Sequence, residues 1–205
     1  MPRLTRAFYD RPTLLVAEDL IGKRLVHDTA EGRASGVIVE VEAYIGESDP
    51  ACHAAAGRTR RNAPLYGEPG FAYVYFNYGM HHLVNAVTEA KDSPAAVLIR
   101  ALHPCEGIEL MRRRRGLPPQ AADSADASLC RGPGNLTKAL GITLAQNGLD
   151  LCRSALYIID RGDAVDGAVV WGPRIGISVG VETPWRASIA GHRAVSGGRR
   201  RPGQS

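Results

Sequence analysis

The segment Ala34-Ser-Gly-Val-Ile-Val-Glu-Val-Glu-Ala-Tyr44 restricts the fold more than any other. Valine at every second position predicts an extended strand whose side chains alternate between two faces. Val37, Val39 and Val41 fall on one face, and Glu40, Glu42 and Tyr44 on the other. Two carboxylates on a strand face are costly unless each is hydrated, paired or hydrogen-bonded. The face is therefore either a solvated sheet surface or a functional site. Arg24–Thr29, joined by the turn-like Ala30-Glu-Gly-Arg33, supplies an antiparallel neighbour.

Further strands are predicted at Phe71–Phe76 and His82–Val87, a hairpin around Asn77-Tyr-Gly-Met80 in which Gly79 can take a positive φ. Others are expected at Ala95–Leu102, Ala155–Asp160, Val169–Trp171 and Ile175–Val179. Helical spacing of Leu14, Leu15, Ala17 and Ile21, with Pro12 in the first turn, predicts a helix over Asp10–Gly22. A second is expected over Pro104–Gly116, ending in Arg112-Arg-Arg-Arg115, where cations complement the helix dipole. Arg131–Leu140 reads as a glycine-rich turn into a short helix able to present N–H groups to an anion. Ile45–Pro69 is aperiodic, and so long a loop is usually functional or disordered. Leu117–Ser128 reads as a mobile loop. The expected architecture is one α+β domain over residues 1–196, a curved and mainly antiparallel sheet with helices around it, followed by a disordered basic tail at 197–205.

At 205 residues and 44% hydrophobic, the chain can bury one sizeable core. It has no apolar run long enough for a membrane span and no signal-peptide core after Met1, so a cytoplasmic location is expected. Cys52, Cys105, Cys130 and Cys152 are scattered without a zinc or disulfide spacing. Lysine occurs only at Lys23, Lys91 and Lys138, so 22 of the 25 basic residues are arginine, which suits bidentate contacts to phosphate. The net charge of +4 leans toward a polyanionic partner without identifying one.

Phe71, Tyr73 and Tyr75 share one strand face, with Tyr78 in the adjoining turn, Asn85 on the next strand and Arg100 on another. Such a row serves sheet packing, or lines a pocket for a splayed-out nucleobase, which needs aromatic planes and a few polar groups. His81-His82 beside Glu42, Asp49 and His53 does not read as a metal site, because adjacent strand residues point to opposite faces. No metal or other cofactor is expected. Arg131-Gly-Pro-Gly134 lacks the lysine and hydroxyl order of a P-loop.

Ile38-Val-Glu-Val-Glu-Ala-Tyr44, Asp49-Pro-Ala-Cys-His53, Arg61-Asn62, Tyr73-Val-Tyr-Phe-Asn-Tyr-Gly-Met80, Leu98-Ile-Arg-Ala-Leu102 and Gly132-Pro-Gly134 resemble, in order and spacing, the alkyladenine (3-methyladenine) DNA glycosylase family. The resemblance implies a fold like the carboxy-terminal domain of formyltransferases, and a monomer acting on duplex DNA with damaged purines. It implies Glu42 as the base that activates water and Arg100 as its helper. Tyr44, His53 and Tyr75 would stack on the extruded base, Asn85 would disfavour guanine, and Tyr78 would fill the gap in the duplex. Met80, Gly134, Ile175 and Gly176 would contact DNA. Asn135 stands where the family commonly has a lysine. The rival classes are a damaged-DNA binder without turnover and a hydrolase of free nucleosides.

Overall fold

The computed structural model describes residues 1–77, 79–118, 126–160 and 167–197. In chain order these form α1 (Arg6–Tyr9), α2 (Thr13–Leu20), β1 (Arg24–Thr29), β2 (Gly32–Ile45), β3 (Ala72–Asn77), β4 (His81–Val87), β5 (Ala95–Glu106), α3 (Ile108–Arg115), α4 (Pro133–Leu140), β6 (Leu156–Ile159), β7 (Val169–Gly172) and β8 (Arg186–Ile189). The strands join one sheet in the order β3-β4-β5-β2-β1-β6, and β8, with β7 on its outer side, pairs to β2. Every pairing is antiparallel. The protein is thus mixed α and β, with an antiparallel sheet and few helices. Among the described residues no helix is long and apolar enough to cross a membrane.

Alternation along β3, β4, β5 and the end of β2 divides their side chains cleanly. Ala72, Val74, Val84, Ala86, Val97, Ile99, Val41 and Ala43 enter the main core. There they meet Val16, Ala17 and Leu20 of α2, Met111 of α3, and Leu136, Ala139 and Leu140 of α4. The helices therefore cover one face of the sheet and leave the other for Tyr73, Tyr75, Leu83, Asn85, Ala96 and Leu98, which line a cavity.

The sequence expectation for β2 needs one correction. Val37, Val39 and Val41 do not share a face, because the pairing with β5 slips between Ile38 and Val41. The slip is undone at Val41↔Ile99, which leaves Val39 on β2 and Arg100 on β5 without a partner in this pairing, so both strands change phase together. Ile38 and Val41 consequently both enter the main core, while Val39 joins a separate cluster with Ala101, Ala127, Ile189 and Ala194.

Several boundaries also move. The first long helix begins at Thr13, since Pro12 is extended in ψ and acts as its N-cap. β5 runs on through Pro104 to Glu106, so the helix expected from Pro104 starts at Ile108, after Gly107 in a left-handed conformation. Residues 175–179 form no strand. Phe71 precedes β3, makes a single bridge to Asp150, and lies under the Arg6 guanidinium instead of lining the cavity. Of the arginine run, Arg112 pairs with Asp126, Arg114 with Glu31, and Arg115 donates to the Leu129 carbonyl. These cations tie α3 to its neighbours in addition to facing its dipole. Most of the expected loop at 117–128 and of the expected tail at 197–205 lies outside the described residues, as does Tyr78. Gly79, after it, does take a positive φ of 67°.

Candidate active site

Register across the sheet builds the site. Tyr73 faces Asn85 across β3 and β4, Asn85 faces Leu98 on β5, Leu98 faces Glu42 on β2, and Glu42 faces Arg186 on β8. Side chains directly opposite one another share a face, so residues 73, 85, 98 and 42 form one row although they are far apart in sequence. Tyr75 opposite Leu83, and Tyr44 opposite Ala96, extend the same face. The resulting cavity has a volume of about 450 Å³ and is closed by two irregular segments, Pro50–His53 and Ile175–Val179, together with Pro133. That size suits a small-molecule group the size of a nucleobase.

Glu42 is fully buried and accepts three hydrogen bonds. The Ile175 N–H donates to Oε1 at 2.7 Å, while the Tyr44 hydroxyl at 2.8 Å and Arg100 Nη1 at 3.2 Å donate to Oε2. A carboxylate offers about four acceptor positions, so among the described residues one remains, on Oε1. Arg100 is itself buried and its Nη1 also reaches the Ile175 carbonyl at 3.4 Å. Glu42 lies just beneath the cavity wall, behind Tyr44, Arg100 and Ile175, which do line it. Burial, followed by the carboxylate of Glu42, pushes the Tyr44 phenol well above its ordinary value, so its proton stays in place as a donor.

The aromatic wall is built around His53. Its Nδ1 lies 2.8 Å from the Tyr73 hydroxyl, and its ring meets Tyr75 edge-on at 4.5 Å. One edge of the imidazole stays open to the cavity, yet removal of water from its inner side, with Arg61 nearby, pushes its pKa down. His53 is therefore neutral at neutral pH. Burial raises the Tyr73 phenol to about 12 and drives Tyr75 higher still, so both remain uncharged. Asn85 donates Nδ2 to the Tyr73 carbonyl at 3.0 Å, which fixes its amide orientation, and among the described residues no donor reaches its Oδ1.

Ion pairing and amide hydrogen bonds hold the irregular walls. Arg174 is buried and bidentate to Asp49 at 2.6 and 2.8 Å, donates to the Ala43 carbonyl, and stacks 4.8 Å from the Tyr44 ring and 5.2 Å from Trp185. One side chain thus joins the 49–53 loop, the segment carrying Ile175, and the face of Tyr44. Asn62 closes the same loop by donating to the His53 and Gly57 carbonyls, both at 2.8 Å. Asp49, grouped with conceivable metal ligands on sequence grounds, is committed to Arg174.

The structure brings together Glu42, Tyr44, His53, Tyr75, Asn85, Arg100, Ile175 and Gly176. Gly176 has φ +79° with open space around it, a left-handed conformation that favours glycine. Gly134 sits near the start of α4, where a side chain would strike the His81 ring at 2.7 Å. Glycine there lets the helix approach β4 and puts Pro133 on the cavity. Met80 is exposed in the turn beyond β3, away from the cavity lining. Sequence reasoning missed Arg174, Arg186 and Ser196. Nothing in a chain with 22 arginines distinguishes the few that become buried.

A buried carboxylate and arginine thus stand beside an aromatic-walled cavity large enough for a flat heterocycle. The chain matches the family model described as methylpurine-DNA glycosylase over residues 7–193 and belongs to that family. It is a DNA glycosylase, a hydrolase of DNA repair. A Chlorobium phaeobacteroides relative is 46% identical over 96% of both chains. A Burkholderia lata relative is 50% identical over 95% of this chain and 91% of its own, and one from Methanocella arvoryzae is 48% identical over 99% of both. All three carry the provisional name 3-methyladenine DNA glycosylase.

Proposed function

We propose that the protein excises alkylated or deaminated purines from duplex DNA by flipping the damaged base into the cavity and hydrolysing its N-glycosidic bond, leaving an abasic site. The observation that carries this reading is the acceptor position left open on Glu42 Oε1 among the described residues, beside the Ile175 N–H, while Arg100 bonds the other oxygen and the Ile175 carbonyl at the cavity wall. A water held there is activated by Glu42 and kept in place by its neighbours. Tyr44, His53 and Tyr75 form the stacking walls. Alkylated bases pair poorly and are cheaper to extrude, and a cationic methylpurine gains attraction to the aromatic faces.

Asn85, fixed by the Tyr73 carbonyl, disfavours guanine by standing in the space that its exocyclic amine would need. Tyr78 fills the gap in the duplex, and Met80, Gly134, Ile175 and Gly176 line the path of the DNA. The cavity holds no lysine, so water and not an amine is the nucleophile and the strand is left uncut. The sheet is proposed to be similar to that of the formyltransferase carboxy-terminal domain, and the protein to act as a monomer among the cell's DNA.

The test is single-turnover base release from methylated duplex and from duplex with one hypoxanthine or ethenoadenine, with a metal chelator present. Glu42→Gln should retain lesion binding and lower release about a thousandfold, the scale of losing a positioned acid or base. Unchanged release by that variant would remove Glu42 from its role.

A further inference from the structure

Glu40 lies two residues before Glu42 on the same face of β2 and is also fully buried, yet it does not line the cavity. Its Oε1 accepts from Arg186 Nη1 at 3.0 Å and from Arg100 Nε at 3.3 Å. Its Oε2 accepts from the Ser196 N–H at 2.7 Å, and the Ser196 hydroxyl lies 2.8 and 2.6 Å from the two oxygens. Arg100 Nη2 is 3.3 Å from that same hydroxyl. A hydroxyl has one proton and two lone pairs. Since Arg100 can only donate, the Ser196 proton goes to Glu40 and its oxygen receives Arg100.

The guanidinium of Arg100 is therefore gripped at Nε by Glu40 and at Nη2 by Ser196, which leaves Nη1 alone to face Glu42 and the Ile175 carbonyl. Arginine otherwise favours two parallel hydrogen bonds to a carboxylate. Such a pair between Arg100 and Glu42 would bring a second guanidinium nitrogen onto Glu42 and crowd the remaining acceptor position.

We propose that Ser196 and Glu40 are positioning residues for base excision: they hold Arg100 to a single contact with Glu42 and so keep a place for the reacting water. The inference rests on the reading of Glu42 and Arg100 given above. Neither residue touches the base, and the end of the described chain acts on the chemistry from behind the site.

Ser196→Ala, Ser196→Thr, Glu40→Gln and Glu42→Gln are compared on one methylated duplex, with single-turnover release and lesion binding measured separately. Ser196→Ala should slow release about tenfold, as displaced catalytic groups do, while Kd stays within about twofold. Ser196→Thr, which keeps the hydroxyl, should restore most of the rate. Glu40→Gln should slow release as well, and adding Ser196→Ala to it should cost little more, because groups acting as a unit are not additive. Should Ser196→Ala not fold, Ser196→Cys, close in size with a weaker donor, carries the same expectation.

Parental release by Ser196→Ala, beside an inactive Glu42→Gln, would overturn this inference and leave the proposed function standing. Parallel loss of rate and binding, without rescue by threonine, would also overturn it. Full release by Glu42→Gln would bring down both.

Discussion

The two faces of β3, β4, β5 and the end of β2 carry opposite chemistry on the same strands. One face presents Val74, Val84, Val97 and Ile99 to the helices, side chains that need no hydrogen-bond partner. The other presents Tyr73, Asn85 and Arg100, with Glu42 and Glu40 behind them, each held by named donors or acceptors. The apolar face is free of directional requirements, because burial energy scales with area. The polar face is not, since a buried group that loses its partner pays its full desolvation cost. Stability should therefore concentrate on one face and function on the other, with the ion pair behind the cavity wall as the exception.

That exception gives the largest expected effect. Asp49→Ala would strand the buried Arg174, and breaking a buried pair costs about 4 kcal/mol. Thermal unfolding should show the loss directly, and base release should fall with it as Ile175 and Tyr44 lose their anchor. Little change in either would mean that Arg174 finds other acceptors. Ile99→Ala comes next, at about 3 kcal/mol of stability for a large-to-small core change. Below its unfolding temperature its release rate should match the parent, and a strong rate defect would show that the two faces are not separable.

Tyr75→Ala should do the reverse. Loss of one stacking partner should weaken capture of the flipped base by about 2 kcal/mol, with the unfolding midpoint nearly unchanged. Loss of lesion binding and stability together would make Tyr75 a core residue. A smaller effect follows from His53. Its pKa is lowered from 6.5, so it is neutral above that value and gains charge only as the solution becomes more acidic. Release of cationic methylpurines should then decline relative to neutral lesions as pH falls well below 6.5, and His53→Gln should flatten the ratio. A ratio with the same slope in both proteins would take His53 out of substrate discrimination.

The smallest change concerns the outer rim. Asn135, which donates to the Arg131 carbonyl at 2.8 Å, occupies the third position of α4. Asn135→Lys should bind duplex DNA a few-fold more tightly, and the slope of log affinity against log salt should steepen by about one for the added phosphate contact. An unaltered slope would place this position off the DNA path.

Much of this arrangement was legible in the sequence because period-two alternation is a local property. Tyr73, Tyr75, Asn85 and Arg100 could be assigned to strands, and the hairpin at Gly79 could be read from residue type. Glu42 stood out as a carboxylate where a strand face should be apolar or solvated. The irregularity at Val39 was not legible, since it arises only where β2 pairs with β5 and leaves Val39 and Arg100 without partners across that pairing. Residues 175–179 alternate like a strand, Ile-Gly-Ile-Ser-Val, but the Ile175 N–H goes to Glu42 and Gly176 turns left-handed. A side-chain acceptor in another part of the chain defeated the local pattern.

Nearest-neighbour spacing thus suffices for most of the extended segments, for the apolar faces of β3, β4 and β5, and for the residue types available for chemistry. It takes the folded chain to bring Asp49 to Arg174 and Ser196 to Glu40, and to set Arg100 between two carboxylates. Those contacts join residues that are 125, 156, 60 and 58 positions apart. At such separations the partner is chosen by strand register and loop closure, and by the need to satisfy every charge the sheet encloses.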